Sequence, residues 1–170
     1  EYFPGGVLVD APHHDFAARL EQTRAALARG ATTIFEAAFV ADDVFVAVDV
    51  LNRTERGWTI IEVKSSTGVK AQYIPDAAIQ THVLRRSGLD VQSVEIMHLN
   101  RECRFPDLRN LFVRVDVTDD VEAALPDVRW ASAAQLRMLE GPLPDAVTGH
   151  HCNKPHPCPF RDRCWPVPPR

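Results

Sequence analysis

Val48-Asp49-Val50-Leu51 and, after a turn, Ile61-Glu62-Val63-Lys64-Ser65-Ser66 set two acids and a lysine inside runs rich in valine and isoleucine. A strand alternates its faces with period two, so Glu62 and Lys64 point to one side while Ile61 and Val63 point to the other. If the Asp49 strand pairs with the Glu62 strand as a hairpin, two carboxylates and an ammonium converge on one small volume. Neighbouring carboxylates repel and are expected to share a proton or a cation. Mg²⁺ and Mn²⁺ favour such oxygen ligands and keep several waters. A lysine beside them can stabilise charge developing on a phosphate or orient a water. The plain alternative is a surface ion pair between Glu62 and Lys64, which is common and worth little. On these three residue types alone the ion pair is the better reading.

Outward from this stretch the chain reads as a meander followed by a crossover. Thr32 to Phe39, with Glu36 inside it, Val44 to Leu51 and Trp58 to Lys64 are predicted strands, separated by turns at Ala41-Asp42-Asp43 and Asn52 to Gly57. Before them, Pro4-Gly5-Gly6 and Pro12 mark loop around a short apolar patch, Val7-Leu8-Val9. A helix is expected from Asp15 to Arg29, with Phe16, Leu20, Thr23, Ala26 and Leu27 on its inner face, Asp15 as its cap and Gly30 closing it. After the meander, Pro75 at the first helical position opens a helix to about Ser87, closed by Gly88. Val91 to His98 is a fourth strand, whose natural pairing after a helix is parallel to an earlier one through a right-handed crossover. Leu111 to Val117 is a fifth. Asp119 to Leu125 and Ala131 to Glu140 look helical, interrupted by Pro126. The order αβββαβ predicts an α/β fold with a mixed central sheet flanked by helices.

The 170 residues suit one domain, 1–140, with a tail, 141–170, packed on it; 45% are hydrophobic and 25% charged. The formal net charge of -4 gives nucleic-acid binding no overall support. Local clustering of Arg101, Arg104, Arg109, Arg114, Arg161 and Arg163 would be needed. No apolar run reaches the length of a membrane helix and no signal peptide is legible, so a cytoplasmic protein is expected. The chain opens at Glu1-Tyr2-Phe3-Pro4 without methionine, which suggests an upstream segment or further domains.

Asp49, a twelve-residue interval, then Glu62-Val63-Lys64 on strands leading into a helix resembles the PD-(D/E)XK nuclease superfamily. The nearer likeness is its RecB-like exonuclease branch, which includes the CRISPR-associated RecB-like nucleases. Within that branch IIEVKSSTGVKAQYIPDAAIQTHVL, IMHLN and the terminal HCNKPHPCPFRDRCW resemble an uncharacterised bacterial family with a cysteine tail. The resemblance implies a restriction-endonuclease-like core and a metal-dependent deoxyribonuclease, with single-stranded DNA as the substrate and partner. It makes Asp49 and Glu62 ligands of Mg²⁺ or Mn²⁺, the backbone carbonyl of Val63 a third, and Lys64 the catalytic lysine. Glu36 matches an acidic position that completes the metal shell; the alternative is an edge-strand glutamate facing solvent. Gln80 falls where the branch places a helix glutamine near the active site, but the tyrosine four residues on is Leu84 here. The branch's early motif is not assigned before the first strand, where His13 and His14 are the candidates. Ser65, Ser66 and Tyr73 are candidates for a phosphate path, although loop hydroxyls more often satisfy backbone groups. Lys70 reads as a solvated lysine.

From Gly141 on, Pro142, Pro144, Pro155, Pro157, Pro159, Pro166, Pro168 and Pro169 keep the chain out of regular structure. Cys152, Cys158 and Cys164 lie in this tail, spaced by five residues each, and Cys103 stands apart. In a cytosolic chain such cysteines argue for metal rather than disulfides, and thiolates suit an iron–sulfur cluster or zinc. The resemblance assigns the three tail cysteines to a [4Fe-4S] cluster whose first ligand precedes Glu1. Cys103 is the fallback fourth ligand. His150, His151 and His156 keep structural zinc open.

Overall fold

Ile34, Val48, Leu51, Ile60, Ile61, Val94 and Ile96 are all essentially inaccessible to solvent. β-Branched and leucine side chains of this kind, recurring along short runs, need a sheet covered on its apolar face. The computed structural model describes residues 2–154 and 156–165 and supplies that sheet. Pro155, Pro166, Pro168 and Pro169 of the proline-rich tail lie outside the described residues.

In chain order the elements are β1 (Val7–Leu8), α1 (Phe16–Ala28), β2 (Thr33–Ala41), β3 (Val44–Thr54), β4 (Gly57–Lys64), α2 (Tyr73–Arg86), β5 (Val91–Leu99), β6 (Phe112–Asp116) and α3 (Thr118–Glu140). A 3₁₀ turn at His150–Asn153 and a short helix, α4 (Arg161–Cys164), follow. The fold is α/β, with one six-stranded mixed sheet whose spatial order is the sequence order, β1 to β6. β2, β3 and β4 form the antiparallel meander, β4 and β5 pair in parallel across α2, and β6 returns antiparallel to β5. The αβββαβ order is present. The chain divides into two compact units, Glu1–Ala133 and Ala134–Arg170.

The turns follow from backbone chemistry. Asp42 and Asp43 both adopt positive φ (51° and 59°), the two-residue hairpin turn that matches strand twist and tolerates aspartate. Gly57, at φ 139°, has no room for a side chain, since a Cβ there would lie 2.6 Å from the Asp90 carbonyl. Its absence lets Trp58 N–H reach that carbonyl at 2.8 Å and tie the start of β4 to the start of β5.

All three long helices contribute to one core: Ala26 of α1, Ala77, Ala78, Val83 and Leu84 of α2, and Val121 and Leu125 of α3 meet Ile34, Val48, Leu51, Ile60 and Ile96. A second, smaller cluster of Val50, Ile61 and Met97, with Phe3, Phe35, Val63 and Phe112 packed on it, lies on the other side of the sheet.

Four expectations need correction. β2 is not an edge strand, because Val7–Leu8 pairs in parallel along it. Pro126 does not interrupt α3; it sits on the exposed side of the helix, as does Glu122, whose carbonyl loses its partner there and faces water. Pro75 is the third residue of α2 rather than the first, where its missing N–H is equally harmless. On α1 Phe16 is 54% exposed, and the buried stripe is Arg19, Thr23 and Ala26.

Candidate active site

The sheet changes phase where two of the acids meet. Phe35 pairs with Val50 and Ala37 with Val48, which leaves Glu36 opposite Asp49 on the rung between. Ile34, Ala37 and Phe39 belong to the helix-side core, as do Val46, Val48 and Leu51, whereas Phe35 and Val50 belong to the cluster on the other face. Strict alternation therefore fails on both strands at the same rung. Glu36 has φ 57°, a left-handed conformation that costs a non-glycine residue on the order of 1 kcal/mol or more and is concentrated at functional positions. On the other flank of β3, ladder pairing with β4 begins at Val50↔Ile61, and the Val63 N–H is taken by the Asp49 carboxylate, Oδ2, at 2.6 Å. The acid thus replaces a rung of backbone pairing.

Glu62 is 6% exposed and both of its oxygens are engaged. Lys64 Nζ donates to Oε1 at 2.7 Å, and Gln80 Nε2, from the buried side of α2, donates to Oε2 at 2.8 Å. The same Nζ donates to Asp76 Oδ2 at 2.7 Å, in the first turn of α2, and lies 5.2 Å above the ring of Tyr73. Gln80 must present its amide nitrogen to the carboxylate, so its Oε1 is a buried acceptor with no partner among the described residues. Leu84, one turn further along α2, is fully buried in the core where the resembling motif would place tyrosine.

Glu36 is held from the other side. Arg19, 4% exposed on α1, donates from Nη2 to Glu36 Oε2 at 3.0 Å and to the Glu36 carbonyl at 3.3 Å. Its Nη1 lies 3.4 Å from His13 Nδ1. Glu36 is thus ion-paired to a buried arginine while its own side chain keeps 37% of its surface exposed.

The electrostatics follow the geometry. Burial, then the Glu62 charge, pushes the Asp49 carboxyl up to about 6; the Val63 N–H opposes this and Glu36 adds to it. For Lys64, burial works against the charged form, but the hydrogen bonds it donates to Asp76 and Glu62 outweigh it and hold the ammonium above its ordinary range.

Asp49, Glu62, Lys64, Gln80 and Glu36 thus gather where the β3–β4 ladder stops, and Val63 enters through its N–H. Tyr73 lies under the lysine. Ser66 Oγ donates to the Gly68 carbonyl, the backbone-satisfying role, while Ser65, Lys70 and His14 are exposed. Arg19 and Asp76 were missed. A charged residue at the spacing of Thr23 and Ala26 on one helical face was the available signal for Arg19. Nothing in the sequence marked Asp76.

Oxygen donors of this kind suit Mg²⁺ or Mn²⁺. Among the described residues no three His, Cys, Asp or Glu side chains stand as a ready ligand set. At the acids, Lys64 and Gln80 both donate to Glu62, one to each oxygen, and Asp76 shares the lysine. In the tail Cys152 is buried and Cys158 and Cys164 are half-buried, all three free; Cys158 N–H donates to the Cys152 carbonyl at 2.8 Å. Cys103 is free as well, its Sγ 3.5 Å from the Asp107 carbonyl. No protein-family model matches the chain, and no curated protein matches it. Among the described residues no helix is long and apolar enough to cross a membrane.

Proposed function

We propose that this chain is a metal-dependent deoxyribonuclease that hydrolyses phosphodiester bonds, with single-stranded DNA as its substrate. The observation that carries the reading is the convergence of Asp49, Glu62 and Lys64 at a rung where the sheet breaks its own alternation. Asp49 and Glu62, with Glu36 beside them, are the residues that would hold Mg²⁺ or Mn²⁺. Bound there, the cation supplies positive charge for the scissile phosphate and acidifies a water. The chain's own residues do the rest. Gln80 fixes the rotamer of Glu62, the Val63 N–H fixes Asp49, and Arg19 fixes Glu36. Lys64, kept charged by Asp76, offers its ammonium to the negative charge that develops at phosphorus. Incubation of single- and double-stranded DNA with Mn²⁺, beside an Asp49→Ala variant, tests the site. Loss of cleavage in the variant is expected, and equal cleavage by both ends the assignment.

A second reading keeps the fold and drops turnover: a nucleic-acid-binding module. The fully buried Leu84 at the tyrosine position favours it. Calorimetric titration with Mn²⁺ separates the two, since a module retains DNA binding with no metal binding at millimolar Mn²⁺. For the tail the proposal is a structural [4Fe-4S] cluster on Cys152, Cys158 and Cys164, against structural Zn²⁺. Iron and sulfide in brown, anaerobically purified protein support the cluster; zinc in their place overturns it.

A further inference from the structure

The segment Asn100–Leu111 between β5 and β6 is a built projection rather than slack chain. Asn100 N–H donates to the Leu111 carbonyl at 2.8 Å and the Asn100 side chain to the Asn110 carbonyl at 3.0 Å, closing its base. Arg104 and Asp107 form an isolated antiparallel bridge, so Phe105 and Pro106 occupy the tip of a miniature hairpin. Phe105 is 87% exposed and Leu108 48%. On one side of the tip a recess of about 460 Å³ is lined by Tyr2, Pro106, Asp107, Leu108 and Arg109. Tyr2 Oη donates to the Arg109 carbonyl at 3.0 Å, which sets the tyrosine ring against the hairpin.

The projection is fastened to the candidate active site. Leu99 N–H donates to the Ser66 carbonyl at 2.9 Å and Arg101 Nε to Thr67 Oγ1 at 2.7 Å, both in the loop that leaves Lys64, and Lys64 is itself in register with His98. The segment carries three arginines against Glu102 and Asp107 in a chain whose net charge is -4. Asp107 neutralises Arg109. Arg101 and Arg104 hold only hydroxyl or carbonyl oxygens and have no carboxylate partner among the described residues.

We infer that this hairpin is a single-strand clamp: Phe105 stacks on a base, the Tyr2–Leu108 recess receives the next one, and Arg101 and Arg104 meet the intervening phosphates. Rigid aromatic surface beside unpaired arginines is the chemistry that recognises unpaired nucleotides without reading sequence. A duplex, whose bases are stacked on one another, offers no face to Phe105. The inference rests on the nucleic-acid reading above and names the surface that would feed strand to Lys64.

The test is fluorescence anisotropy of a labelled oligothymidylate in EDTA across a salt series, with Arg101→Ala/Arg104→Ala and Phe105→Ala variants. All three side chains are exposed, and a melting temperature within about 2 °C of the wild type's for each variant shows that a loss of binding is not a loss of fold. Each phosphate contact contributes roughly 0.7 to the log–log salt slope on single strands. The double variant is therefore expected to lower the slope by about 1.4 and to bind roughly 25-fold more weakly near 0.1 M salt. Phe105→Ala is expected to weaken binding at least about fivefold with the slope unchanged. If the wild type binds and both variants match it, the clamp is refuted while the nucleic-acid reading stands. If the wild type binds no oligothymidylate, the nucleic-acid reading itself falls.

Discussion

Replacing Asp49 with asparagine should stabilise the metal-free protein at alkaline pH and leave it unchanged in acid. In the folded chain the Asp49 carboxyl holds its proton up to about pH 6, against an ordinary value of 3.8, because it is partly buried beside Glu62. Folding therefore takes up a proton between these limits. Stability is full below the unfolded value and is lost as pH rises through the folded one. A gap of about two pH units corresponds to ~3 kcal/mol at full weight, and solvent screening of a half-buried carboxylate trims this to ~1–2 kcal/mol. Asparagine keeps an oxygen for the Val63 N–H and carries no charge to repel Glu62. The variant should thus melt about 3–6 °C above the wild type near pH 8 and with it near pH 3.5, below the unfolded value. Thermal denaturation in EDTA at both values measures this. Destabilisation near pH 8, or the same shift at both values, would refute the reasoning. With excess Mn²⁺ the order should reverse, because only the wild type gains binding free energy on top of folding.

Other perturbations are equally direct. Glu36→Ala should cost ~2–3 kcal/mol in urea denaturation, because it strands the buried Arg19 guanidinium, whereas Arg19→Met should cost under ~1 kcal/mol, since the freed carboxylate reaches water; a reversed order would show that the pair is held by Glu36 burial instead. Leu84→Tyr, which restores the motif's tyrosine, should destabilise by ~1–3 kcal/mol, as the site is fully buried in the core, and nuclease activity per folded molecule should not rise. Gln80→Leu should cost ~1–3 kcal/mol by removing a donor from buried Glu62, and a urea midpoint equal to the wild type's would exclude that role.

The meander was legible because its strands alternate and its turns carry Asp42-Asp43 and Gly57, residues that accept positive φ. The acids and Lys64 were legible for the opposite reason, as charges out of place in apolar runs. What period-two reasoning could not deliver is the rung at Glu36 and Asp49, where a left-handed residue shifts the phase of both strands. A pattern assumes the regularity that the site abandons. Arg19 stayed hidden because a long polar side chain on an otherwise small-residue helix face is read as solvated until its partner on β2 is known. The uninterrupted α3 shows how exposure of the carbonyl that Pro126 orphans can override a residue-level breaker signal.

The sequential strand order, β1 to β6, has a consequence for how the centre comes into being. Glu36, Asp49, Glu62, Lys64, Asp76 and Gln80 lie on neighbouring strands and the helix that directly follows them, so every contact among them closes a short loop. On a ribosome these contacts become available as soon as α2 has emerged, before β5 and β6 exist. The site is thus inherited as one uninterrupted piece of chain, and a tract ending at α2 is the smallest cassette that would carry it into another scaffold.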